Sequence, residues 1–384
     1  MDDLVVRTDR GRVRGRDGVF KGIPFAAPPA GELRFRDPVP AEPWNGVRDA
    51  LEFGPAVPQP SPAPGVPSCF DPARGDDWLT LNVWSPDPGP GARLPVMVWI
   101  HGGGWRIGWP GMPQYDGATL AAHGVVLVTV AYRLGEEGFR GANRGLRDQL
   151  AALEWVHRNI AAFGGDPGAV TVFGQSAGAA SAVFLAAYPG AKGLVRRVIA
   201  QSIPNGYATG PAEEPMPLID GDLVPAPPWE LAIGVDLLAG VSHREWRTMG
   251  PVPDVDHPDL ARYKAKYPDN PEEELMSDFV FRRPTVRTVE RNGGWLYDFA
   301  WRGGGHGSEV PFVFGNGDNR FAARHVGVPP SPEFAPLSAA IRASWTGFAA
   351  TGDPGWPRYR MESAGPVRRW DVEPAEVRNP FVSW

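Results

Sequence analysis

The stretch "TVFGQSAGAAS", Thr171–Ser181, sets Ser176 between Gly174 and Gly178 where an apolar, β-branched run gives way to small residues. A serine hydroxyl held out of a sharp strand-to-helix turn can act as a nucleophile, and side chains at the flanking positions would collide across that turn. The pattern therefore predicts a nucleophile elbow with Ser176 at its corner. Chance supplies such a G-x-S-x-G in a chain of this composition about 0.2 times, so its weight depends on its surroundings.

Those surroundings include "WIHGGGW", Trp99–Trp105, which follows the apolar run Leu94–Ile100. Consecutive glycines let backbone N–H groups close on a substrate oxygen that gains negative charge, because no Cβ blocks the approach. A histidine followed by three glycines arises by chance only about 0.01 times here, which makes this the more specific signal. Gly103 and Gly104 are the expected oxyanion donors. The N–H of Ala177 joins them at the start of the helix after the serine, where the helix dipole also favours negative charge.

Something must bring these loops together. The runs "LPVMVWI", "GVVLVTVAY", "AVTVFG", "VRRVIAQ", "DLLAGV" and "GWLYDFAW" are short and mostly β-branched or aromatic, as buried strands are. Between them, "NRGLRDQLAALEWVHRNIAAF" places Leu146, Leu150, Leu153, Val156 and Ile160 at helical spacing, and "EFAPLSAAIRASWTGFAA" does likewise near the end. Strands alternating with helices predict an α/β fold with a mainly parallel sheet, carried by residues 1–384 as one domain. The Pro- and Gly-rich segment Pro55–Ser68 reads as a surface loop, and "FGGDPG" as a helix-to-strand turn rather than a phosphate or dinucleotide loop.

Composition narrows the partners. A formal charge of −6 argues against nucleic acid, and no apolar run approaches a membrane span of ~20 residues. Cys69 is the only cysteine, so no internal disulfide can form, and the start of the chain lacks the pattern of a signal peptide; both suggest the cytoplasm. The seven histidines show no metal-ligand spacing, and no metal or cofactor is expected.

With these motifs in place the chain resembles the type B carboxylesterases, the cholinesterase-like branch of the α/β hydrolases. The likeness runs through "FKGIPFAAPPAGELRFRDPVP", "DDWLTLNVWSP", "VMVWIHGGGW", "DQLAALEWVHRNIAAFGGDPGAVTVFGQSAG" and "RRVIAQS", and resumes at "DGDLVP" and "HGSEVPFVFG". It implies a central sheet of eight or more strands, a Ser-His-Glu triad and hydrolysis of carboxylic esters without a cofactor. By resemblance His306 in "GGGHGSEVPFVF" is the base, with His325 and His257 as fallbacks. The segment "VDLLAGVSHREW" places the acid at Glu245, with Asp254 and Asp256 as alternatives. Trp105, Trp109, Phe139 and Trp246 are candidates for an ester pocket.

The chain departs from the family pattern at several points. Gln175 precedes the serine where relatives usually carry Glu, Arg244 and Trp246 flank the acid, and Trp78 stands where many relatives carry a disulfide cysteine. The interval Ser202–Ile219 is too short and too rich in Pro and Gly for the helical cap that relatives place there. The interval between Glu245 and His306 is not expected to rebuild that wall, so an open, shallow cleft is expected. The resulting expectation is a serine esterase acting on small-molecule esters. An acyltransferase on the same fold is the alternative, and a non-catalytic binding protein a remoter one, since the serine, histidine and oxyanion glycines are all retained.

Overall fold

The computed structural model describes residues 3–206, 215–254 and 256–381. Its frame is one sheet built from β1 (Asp3–Arg7), β2 (Arg12–Arg16), β3 (Val19–Pro24), β4 (Val47–Asp49), β5 (Thr80–Trp84), β6 (Leu94–Ile100), β7 (Val126–Val130), β8 (Gly165–Gln175), β9 (Arg197–Gln201), β10 (Asp236–Ser242), β11 (Trp295–Phe299), β12 (Val367–Trp370) and β13 (Ala375–Val377). The strand order is β1-β2-β3-β5-β7-β6-β8-β9-β10-β11-β12-β13, with β4 beside β2. From β7 to β12 every neighbouring pair is parallel. Antiparallel strands form both flanks, so the six apolar runs picked out in the sequence make the centre of a larger sheet.

These central strands are hydrophobic on both sides because helices cover both faces. Along β6, Val96, Val98 and Ile100 join one core cluster while Met97 and Trp99 join the other, as the alternation of side chains in a strand requires. The first cluster takes the helices Arg144–Asn159 and Ala177–Ala187, and the second takes Phe334–Thr351 and the short helix Val310–Phe314. Leu146, Leu153, Val156 and Ile160 are buried and Leu150 half-buried, as their spacing implied. In the segment "FGGDPG" the change from helix to strand falls at Gly164, left-handed at φ 87°, and Gly165–Gly168 already belong to β8.

One expectation needs correction. Between β10 and β11 the chain folds into helices Leu260–Lys266, Pro271–Ser277 and Arg283–Asn292, joined by a π-helical turn Asp278–Arg282. This stretch does rebuild a wall beside the site. Its signal was present in Pro271 at the first turn of a helix followed by Glu272, Glu273 and Glu274, all favoured at a helix N-terminus. Of the interval after β9, residues 207–214, including Gly210 and Pro211, lie outside the described residues.

Candidate active site

Strands β6 and β8 are parallel neighbours with Ile100 opposite Gly174, so their C-terminal ends lie side by side and release two loops at one edge. From β8 the chain turns at Ser176, whose φ of 57° and ψ of −123° lie outside the regions an L-residue ordinarily occupies. The turn is held by the Ser176 N–H donating to Gln201 O at 2.8 Å and by Ala179 N–H donating to Ser176 O at 2.8 Å. Glycine is required on both sides. A Cβ at Gly174 would lie 2.5 Å from the backbone carbon of Gly178, and one at Gly178 would lie 1.9 Å from Ile100 O.

The loop leaving β6 packs against this elbow. A Cβ on Gly102 would meet Gln175 O at 2.6 Å and Ser176 Cβ at 3.2 Å. Gly103 has φ 112° and Gly104 φ 62°, conformations that glycine adopts without strain. Among the described residues, the N–H groups of Gly103, Gly104 and Ala177 donate to no acceptor within the chain. His101, just before them, is buried and stacked on Tyr132 with ring centroids 4.5 Å apart. Burial lowers its pKa to about 4, opposed by its hydrogen bond with Gly102 O. His101 is therefore neutral where an esterase works, and its place is structural.

His306 and Glu245 come together from two loops at the same end of the sheet. His306 Nδ1 donates to Glu245 Oε2 at 2.7 Å, and the His306 backbone N–H donates to Glu245 O at 3.1 Å. Glu245 is fully buried, and its Oε1 accepts from Ser202 Oγ at 2.6 Å and Ser242 N–H at 2.8 Å. A buried carboxylate with three donors is compensated for losing water and has little freedom to turn. With the proton on Nδ1, the other imidazole nitrogen is an acceptor, and Gln175 Nε2 donates to it at 3.0 Å. Phe281 covers the imidazole, centroids 4.2 Å apart and planes inclined at 31°.

A second carboxylate lies beneath this pair. Glu309 is buried, accepting from Gln201 Nε2 at 3.1 Å and Ser242 Oγ at 3.1 Å. Burial and then the charge of Glu245 raise its pKa, opposed by its bond from Gln201 and by the nearby His306. Sequence reasoning missed Glu309, Ser202 and Phe281. Glu309 and Ser202 stood within quoted motifs, at "HGSE" and "IAQS", whereas Phe281 had no motif to mark it.

The four aromatic candidates are dispersed. Trp105 and Phe139 are buried in the first core cluster with centroids 6.3 Å apart, and Trp105 Nε1 donates to Ser181 Oγ at 3.0 Å. Trp109 is half-buried against Phe53 at 5.6 Å and donates to Gly54 O at 3.2 Å. Trp246 is half-buried next to Glu245, its backbone N–H donating to Ser277 Oγ at 2.9 Å. Asp254 and Asp256 are exposed, and His325 lies in the helix Arg320–Val326 with its pKa lowered to about 4 by burial and by Arg324 and His306.

A serine raised on a strand-to-helix elbow of a mostly parallel sheet, flanked by helices on both faces, defines an α/β hydrolase. The chain belongs to the carboxylesterase family, whose profile matches residues 2–213, and it is a carboxylic ester hydrolase. It is similar to the para-nitrobenzyl esterase of Bacillus subtilis (strain 168), 35% identical over 94% of this chain and 94% of that protein. It is also similar to the phenmedipham hydrolase of Pseudarthrobacter oxydans, 46% identical over 51% of this chain, a match that spans 41% of that protein. Among solved structures, a carboxylesterase of Geobacillus stearothermophilus superposes with a TM-score of 0.83 at 31% identity, covering 98% of each chain. A para-nitrobenzyl esterase structure gives 0.84 at 31%, covering 98% of this chain and 97% of that one.

Proposed function

We propose that Ser176 is the nucleophile of this esterase, His306 its general base and acid, Glu245 the group that orients His306, and Gly103, Gly104 and Ala177 the oxyanion donors. The observation that carries this reading is the bond from His306 Nδ1 to Glu245 Oε2 at 2.7 Å, made by an imidazole whose Nε2 faces Gln175, the residue next to Ser176. In the first half-reaction the Ser176 oxygen bonds to the ester carbonyl carbon as its proton passes to His306 Nε2, displacing the Gln175 N–H bonded there, and the carbonyl π electrons move onto the oxygen. That oxygen meets the N–H groups of Gly103, Gly104 and Ala177, which have no acceptor within the described chain. The C–O bond to the alcohol then breaks, and His306 returns the proton to the leaving oxygen. Water repeats the sequence on the acyl-enzyme, releasing the acid and restoring Ser176. Throughout, the Glu245 carboxylate stabilises the imidazolium and keeps the proton on Nδ1.

The substrates are proposed to be small-molecule esters, and the name of the para-nitrobenzyl relative makes p-nitrobenzyl and p-nitrophenyl esters the first probes. A cytoplasmic setting is supported by Cys69, the only cysteine, which is exposed and unpaired. Among the described residues no helix is long and apolar enough to cross a membrane. The test of the site is an organophosphonate followed by intact-protein and peptide mass spectrometry. One adduct on Ser176, absent from Ser176→Ala, is expected; an adduct elsewhere, or unaltered turnover by that variant, overturns the assignment.

A further inference from the structure

The wall between β10 and β11 touches the loop of Glu245, the chain that follows Ser202 and the ring of His306. Ser277 Oγ accepts from Trp246 N–H at 2.9 Å, in the loop of Glu245. Val280 O accepts from Asn205 N–H at 2.6 Å, and Thr285 Oγ1 accepts from Ile203 N–H at 3.0 Å, both in the chain that follows Ser202. Arg282 Nη2 donates to His243 O, two residues before Glu245. Between these anchors Phe281 lies over the His306 ring and is itself 2% exposed. These contacts are gathered in residues 277–285, around the five-residue π-turn Asp278–Arg282.

A π-turn takes one extra residue into a helical turn, which shifts the register of the side chains that follow and frees carbonyls for other partners; such turns recur at functional sites. Here Phe281 is sent to the base and Arg282 to the acid loop. Arg282 is fixed in turn by Glu274 at 2.8 Å and Asp278 at 3.0 Å, all three buried, and Asp278 also accepts from Tyr263 OH. Breaking a buried ion pair on one side leaves an uncompensated charge, so this network resists loosening.

We infer that the π-turn Asp278–Arg282 is a clamp on the catalytic loops, and that Phe281 is a positioning residue that holds the His306 imidazole in the plane set by Glu245. This rests on the reading of His306 as the base. An imidazole bonded at Nδ1 can still swing about that bond, and a ring 4.2 Å from its face blocks the swing on that side. The same aromatic face favours the cationic imidazolium formed during turnover. The other groups facing His306 are Glu245 at Nδ1 and the uncharged Gln175 at Nε2, with Glu309 and His325 close enough to interact electrostatically.

The test compares the parent with Phe281→Met, which keeps apolar volume but loses the ring, and Phe281→Tyr, which keeps the ring. With dissolved p-nitrophenyl acetate, Phe281→Met should lower kcat by about tenfold to a hundredfold with KM within about twofold, the size that misplacing a catalytic group produces. Its acidic limb should move to lower pH by a few tenths, since the imidazolium loses its aromatic face. Phe281→Tyr should restore kcat to within about threefold of the parent. Should Phe281→Met fail to melt cooperatively, Phe281→Leu is read in its place. Parent-like kcat and pH profile in a folded Met or Leu variant overturn the clamp, as does equal loss in the Tyr variant. Ser176→Ala and His306→Ala run in parallel: if they retain turnover the triad reading fails, and if they are inactive while Phe281→Met behaves as the parent, the clamp alone fails.

Discussion

The elbow around Ser176 and the helical wall of residues 260–292 hold parts of the same site, by opposite means. The elbow is a backbone device: two parallel strands end together, and Gly102, Gly174 and Gly178 are needed because a Cβ at each would lie within 2.6 Å of neighbouring backbone. The wall is a side-chain device, in which Arg282 and Ser277 reach across to a loop distant in sequence while Glu274 and Asp278 hold Arg282 in place. A backbone device tolerates very few residue types and leaves a motif. A side-chain device can be met by many combinations and leaves none.

Four experiments would break or sharpen that contrast. The largest effect is expected at the side chain proposed as nucleophile: Ser176→Ala should reduce kcat on the order of 10⁴-fold or more, read by ester turnover with active-site titration. Next is Gly178→Ala, which forces a methyl against Ile100 O and should destabilise the fold by about 2 kcal/mol, seen as a lower midpoint in denaturant. Were that variant as stable as the parent, the elbow would be more compliant than its geometry implies.

The third follows from His101, at the start of the Gly102–Gly104 loop. Its folded pKa of about 4 lies below the ordinary imidazole value of 6.5, so the unfolded chain binds the proton more readily. The stability gained from a neutral His101 is complete above pH 6.5 and is lost as pH falls toward about 4. Melting temperature should decline through that window, and His101→Gln should flatten the decline; an unchanged slope would remove His101 from the account. The smallest concerns Gln175. A glutamate there adds negative charge beside His306 and favours its cation, so Gln175→Glu should move the acidic limb of the rate profile to higher pH by roughly half a unit to one unit. A limb that stays put, or moves down, contradicts the placement of Gln175 at Nε2.

How far the sequence was legible follows the same division. The central strands could be read because burial on both faces demands continuous apolar runs, and Ser176, Gly103 and Gly104 because backbone approach demands glycine. Glu245 was legible only through the segment around it, since its neighbours Arg244 and Trp246 break the usual pattern. The structure supplies the reason: Arg244 pairs with Glu273 at 2.7 Å and Trp246 N–H with Ser277 Oγ, so both flanks are turned toward the wall. Phe281 was not legible, because its role depends on the path of a π-turn that places it 4.2 Å from a ring 25 positions later in the chain. The helical stretch between β10 and β11 was missed for that reason: acids after Pro271 were readable as a helix start, but not as the base of a wall.

The pairing of Ile100 with Gly174 has one further consequence, for how this scaffold can change. The distance between the Gly102–Gly104 loop and Ser176 is set by the hydrogen-bond ladder between β6 and β8, not by either loop. Sliding one strand by a two-residue step would keep every side chain on its proper face yet carry its loop about 7 Å along the sheet, enough to disable the site in a sound fold. Insertions in the loops at the opposite end of the sheet leave that ladder untouched. Variation can therefore accumulate at one end of the molecule while the other stays fixed in register.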